Sequence, residues 1–239
     1  MTPGPELRAA LDAAYDVFAR YGRPSALEAP PHRKPEALLA ALTAKPLREA
    51  PCEAVGRYAG WATTTVGGIE DYKHFLPRVM ELAVGGKCPH MGCEPEILGG
   101  RIAYAGLATW PARERAAVTA VFEAAARQAI DETLDAATPE EWLTAVGELG
   151  VAVAPLLQAW LSARSVDAGL HLAEAVRSEA ARRADGRDDL AQRPPEARAV
   201  RLWLRGSAVR ERLEALLFEV PEDETWRVEA ALIESEAAG

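Results

Sequence analysis

Apolar residues recur along this chain at steps of three and four. Leu7, Leu11, Tyr15 and Phe18 fall on one side of a helix of 3.6 residues per turn, and Pro5 presets a helical φ at its start, so a helix is predicted over 5–21. After a Pro-rich stretch, 22–35, the same spacing predicts a short helix through Leu38, Leu39 and Leu42, broken by Pro46 and Pro51. A helix over 52–64 follows through Val55, Tyr58 and Trp61 and stops before Gly67-Gly68. The next run, 68–86, is periodic on both sides of Pro77, so the proline either kinks one helix or opens a second.

The second half keeps the same period. Helices are predicted over 95–107, weakened by Gly99-Gly100, and over 111–134, with Val118, Val121, Phe122 and Ile130 turned inward. "TPEEW" is a start signal: Thr138 caps, Pro139 takes the first position, and Glu140 and Glu141 suit the positive helix end. Further helices are expected at 151–164, from an Asp167 cap to near Gly186, and at about 195–205, 207–219 and 222–236. Apolar and polar residues never alternate for long, and no Asn-Gly or Asp-Gly turn joins two β-rich runs. The expected fold is all-α, an irregular helical bundle or a short solenoid of diverged helix pairs, with about ten helices. The loop near 85–95 is the expected boundary between an N-terminal half, 1–86, and a C-terminal half, 87–239, of one continuous domain.

Composition fits this picture and adds little chemistry. Of the 239 residues, 49% are hydrophobic and 26% charged, a globular balance. No apolar run is long enough for a membrane span, and the N-terminus lacks a basic head followed by an apolar core, so neither a span nor a secretory signal is expected. Three cysteines do not read as a disulfide framework, and a reducing cytoplasm is the expected location. The net charge of −9 is unevenly spread: residues 128–176 sum to −7, 177–212 to +4, and 213–239 to −7. An acidic whole disfavours nucleic acid and favours a basic protein as partner.

Three groups of residues carry candidate chemistry. In "GGKCPHMGCEPEILGG", 85–100, Cys88, His90 and Cys93 are zinc-type ligands within six residues. Their spacing departs from paired zinc knuckles, and a glycine-bounded turn accounts for the same residues, so no cofactor is expected and zinc is the alternative. In "IEDYKHF", 69–75, Glu70, Asp71 and His74 could share one helical face and bind a metal or move protons, or could form a salt-bridged surface. Arg198, Arg201, Arg205 and Arg212 recur at helical spacing as a basic stripe, and Glu140 and Glu141 lie in an acidic segment. Both are candidate partner-binding surfaces, with pairing inside the molecule as the competing explanation. His171 reads as a partly buried helix histidine. No nucleophile elbow, phosphate loop or dinucleotide fingerprint appears.

The run "RYAGWATTTVGGIEDYKHFLPRVMEL", Arg57 to Leu82, and the later "ATWPARERAAVTAVF", Ala108 to Phe122, resemble stretches of an uncharacterised family of bacterial α-helical proteins of similar length. The resemblance implies a helical protein and carries over no catalytic residue. The resulting expectation is a non-enzymatic protein-binding module: an inhibitor, an immunity protein for a basic toxin, or an adaptor. A zinc-binding protein or metal-dependent enzyme built on Cys88, His90 and Cys93 is the alternative, with nucleic-acid binding through the Arg stripe behind it.

Overall fold

The three-and-four periodicity is realised as α-helix along nearly the whole chain. The computed structural model describes residues 1–187 and 189–237, and among these there are twelve α-helices, six short 3-10 turns and no strand. A single isolated bridge joins Ala62 and Val66. No helix among the described residues is long and apolar enough to cross a membrane. The chain divides into two compact units, Met1–Ala125 and Ala126–Gly239.

The first unit holds α1 (Pro5–Phe18), α2 (Pro35–Leu42), α3 (Cys52–Trp61), α4 (Ile69–Gly85), α5 (Pro95–Tyr104) and most of α6 (Ala112–Ile130). The stripe read from α1 is its buried face: Leu7, Leu11 and Phe18 are almost without exposed surface. They pack on α4, which also receives α3. Tyr58 of α3 meets Phe75 of α4 edge to face, with centroids 5.0 Å apart. Pro77 does not open a second helix. It lies inside α4, whose buried Tyr72, Phe75, Leu76, Val79 and Met80 outweigh the one backbone hydrogen bond a proline removes. The start of α4 is closed by Asp71, whose Oδ2 accepts from the Gly68 amide at 2.8 Å.

The second unit holds α7 (Pro139–Glu148), α8 (Ala154–Ser162), α9 (Val166–Ala184), α10 (Pro195–Leu204), α11 (Ser207–Leu216) and α12 (Thr225–Ala237). Helix α7 packs on α10, and α12 packs on α9. Two glycines permit close approach. A Cβ on Gly147 of α7 would lie 2.5 Å from the Ala197 Cα of α10, and one on Gly169 of α9 would meet the Leu216 side chain of α11.

Three details correct the sequence reading. Thr138 occupies the cap position of α7, but its side chain makes no cap hydrogen bond. Helix α9 is capped by Ser165, whose hydroxyl accepts from the Ala168 amide at 3.2 Å, while Asp167 sits two residues further in, within the first turn. The expected boundary at 85–95 is not where the chain divides, because that loop folds back onto α3, α4 and α5 inside the first unit.

Contact at the backbone distinguishes Gly147 from a helical glycine with open space. Gly147→Ala is expected to cost about 1–3 kcal/mol, because the Ala197 backbone cannot swing aside. Gly60→Ala in α3, whose Cβ would meet nothing within 4 Å, is expected to be neutral or to gain up to about 1 kcal/mol. Denaturant midpoints at unchanged slope give both values.

Candidate functional site

The cysteine loop is a strap laid along α3. Cys52, the first residue of α3, is disulfide-bonded to Cys88, with Cα atoms 5.5 Å apart. Two residues on, the His90 ring covers Gly56, where a Cβ would come within 2.6 Å of it, and His90 Nε2 lies 3.0 Å from Glu53 Oε2. After two more, Gly92 rests on the backbone of Ala59 and Gly60, with room for no side chain. The strap thus advances one helical turn for every two of its own residues. Cys93 then turns inward and is 5% exposed, and burial pushes its thiol up to about 11.

This geometry corrects two expectations. The cysteines do pair, which removes the cysteine-based ground for a reducing compartment. Cys88, His90 and Cys93 do not converge as ligands: one sulfur is bonded to Cys52, the imidazole is on Glu53, and the other sulfur is buried. No group of three His, Cys, Asp or Glu side chains that could hold a metal exists among the described residues.

The 69–75 group is also dispersed. Asp71 closes the helix start, and His74 Nδ1 is 2.9 Å from the Tyr21 carbonyl oxygen. The residue between them that matters is Lys73, which the sequence reading passed over. Its ammonium is 2.8 Å from Glu114 Oε2, 4.3 Å from the Trp110 ring centroid, and 3.2 Å from the Tyr21 hydroxyl oxygen. Tyr21 in turn donates to Glu114 Oε1 at 2.7 Å. Glu114 is 1% exposed. The signal was present in the sequence: Tyr72, Lys73, Leu76 and Met80 share the apolar spacing, so the lysine lies on the inward arc of α4.

In the second unit the basic stripe is largely turned inward. Arg201 is 2% exposed; its Nε donates to Glu179, and Nη1 reaches Asp189 Oδ1 at 2.7 Å. Arg205 donates to the same Glu179 through Nε at 2.8 Å. Hydrogen bonds from Arg193 first, and from Arg201, hold the Asp189 carboxyl down to about 2. Arg212 is buried and lies 2.9 Å from Glu219. Glu140 is buried against Arg182, whose Nη1 is 2.5 Å away, and its burial raises the carboxyl pKa. Glu141 is half-buried, as is Arg198, which makes no ion pair among the described residues. His171 is the buried helix histidine expected: it lies 2.9 Å from the Glu132 carbonyl oxygen, and burial lowers its pKa.

The largest exposed apolar side chains of this unit lie elsewhere. Trp226 and Ile233 of α12 are 50% and 66% exposed, two turns apart on one face, with the exposed Glu229 between them. Phe218, just past the end of α11, is 90% exposed. The Arg227 guanidinium covers one side of the Trp226 ring at 4.5 Å and pairs with Glu174 and Glu224. The opposite face of α12 is anchored by buried Val228 and Ala231.

Comparison with protein-family models, with curated proteins and with solved structures finds no match to this chain. The resemblance of Arg57–Leu82 and Ala108–Phe122 to bacterial helical proteins therefore rests on those residues alone.

Two outcomes follow from these arrangements. The native chain is expected to show no readily reacting thiol, one after unfolding, and three after unfolding with reductant; Cys52→Ser should cost about 2–4 kcal/mol, because the bond closes a long loop. Reagent titration and denaturant melts measure both. Glu179→Gln leaves two arginines facing a neutral amide and is expected to cost about 3–5 kcal/mol, whereas a loss below about 1 kcal/mol would show that the pair is well solvated.

Proposed function

We propose that this chain is a non-enzymatic protein-binding module that docks a basic partner on the outer face of α12. The observation that supports this is the stripe of Trp226, Glu229 and Ile233 within a segment, 213–239, carrying eight acidic side chains and one Arg. A large aromatic and a β-branched residue two turns apart are the anchors by which a helix seats in an apolar groove. A half-exposed Trp has the size and rigidity of a binding hot spot. Glu214, Glu219, Glu224, Glu234 and Glu236 are matched to arginines, and Glu222, Asp223 and Glu229, which make no ion pair among the described residues, steer a basic surface toward the stripe and reject an acidic one. An inhibitor or immunity protein holding a basic toxin, or an adaptor for a basic protein, fits this face.

The basic stripe carries less of the reading than its spacing implied. Arg201 and Arg212 lie inside the unit, and their charges are matched there. What they contribute is the rigidity of the support behind α12 and α11.

Immobilised full-length protein should retain a basic protein from its own host, release it as salt rises, and lose it when Trp226 and Ile233 are both replaced by Ala. With the purified partner, the double variant should bind at least about tenfold more weakly while keeping the wild-type circular dichroism and melting temperature. A partner that is acidic, or that binds wild type and double variant alike, rejects the proposal.

A further inference from the structure

We propose that the cleft between the start of α2 and the outer face of α3 binds a small organic anion, with an acidic head at its rim and an apolar or aromatic body on its floor. The cleft has a volume of about 410 Å³, in the size range of small-molecule sites. Its floor is apolar, built from Leu38, Ala41 and Ala54, with Trp61 as an aromatic wall. Its rim is cationic: Arg33, Lys34 and Arg57 all line it. This site is separate from the face proposed for partner docking, and neither reading depends on the other.

Three observations point to an anion. The Arg33 guanidinium carbon sits over Trp61, 4.2 Å from the ring centroid, and a guanidinium so placed keeps N–H donors at its edge. Neither Arg33 nor Lys34 makes an ion pair among the described residues, whereas Arg57, which lines the same cleft, is matched to Glu53.

The backbone supplies the third observation. Lys34 has φ 51°, in the left-handed region, where glycine sits without penalty and a side chain is strained. A lysine held there sets an ammonium at the mouth of the cleft against the preference of its own backbone. The opposite wall is fixed in advance. Pro51, Glu53 and Ala54 stand beside Cys52, which the disulfide holds, and Glu53 is engaged by both Arg57 and His90. The one carboxylate in the cleft is thereby neutralised, and the net charge facing a ligand is positive.

Calorimetric titration of the full-length, oxidised protein tests this with four probes: 1-naphthyl phosphate, 1-naphthoate, 1-naphthol and inorganic phosphate. The two aryl anions are expected to bind at least about tenfold more tightly than naphthol or inorganic phosphate. The stronger of the two identifies the head group as phosphate or carboxylate. Arg33→Gln and Lys34→Gly should each weaken that probe by about tenfold. Lys34→Gly is the decisive variant, because glycine suits the left-handed backbone, so its fold should be kept or strengthened while binding falls. Naphthol binding as tightly as the aryl anions, unchanged affinity in both variants, or no heat from any probe at millimolar concentration overturns the proposal.

Discussion

Taking charge out of water is the constraint around which both units are organised. A carboxylate as deeply buried as Glu114 or Glu179 is tolerable only if a cation and hydrogen-bond donors meet it inside. In the first unit Lys73 and the Tyr21 hydroxyl do this, and the Trp110 ring shields the ammonium. In the second unit Glu179 takes Arg201 and Arg205 together, and Asp189 supplies Arg201 with a second acceptor. Each centre ties helices distant in sequence: removing Lys73 takes the nearest cation from Glu114, and removing Glu179 leaves Arg201 and Arg205 without their shared carboxylate. The apolar contacts around them are interchangeable to a degree that these pairings are not.

The same constraint explains why the fold was legible in the sequence and the sites were not. Periodicity depends only on which side of a helix is apolar, and Leu7, Leu11 and Phe18, or Val118, Val121 and Phe122, declare that side plainly. Residues at helical spacing are thereby known to share a face, but not whether that face turns inward. Ala197, Val200, Arg201 and Leu204 show the difficulty: they follow one buried stripe with an arginine inside it. Counted with Arg198 and Arg205, the same arginine reads as part of a basic surface. The apolar neighbours at three and four residues were the better guide, and they apply equally to Lys73. The caps failed for a related reason, because Ser165 and Asp167 both suit the role and only the backbone path selects between them.

Pairing between Cys52 and Cys88 lay beyond any local rule. Their separation of 36 residues carries no signal, and it becomes contact only because α3 and α4 pack and the chain then returns. Gly56 and Gly92 are the residues that permit that return. Each sits where a side chain would strike the strap or the helix, so the strap lies close enough for a bond at one end and a backbone seat at the other. The sequence displays these glycines, but the surface each one meets is a product of the fold.

Matching of charge inside each unit also determines what is left for a ligand or a partner. Once Arg201, Arg205 and Arg212 are assigned to Glu179 and Glu219, the second unit presents outward the exposed Trp226 and Ile233 with Glu229 between them. The first unit, nearly neutral in sum, sets two cations that make no ion pair among the described residues side by side at one cleft, one over Trp61 and one on a strained backbone. A flexible surface lysine would lose rotamer freedom on binding an anion. Arg33, held over its aromatic ring, has already lost part of its own in folding. The disulfide acts on the opposite wall in the same way, by restricting the start of α3 before any ligand arrives. Pre-organisation on both sides is what separates this cleft from an ordinary patch of surface charge.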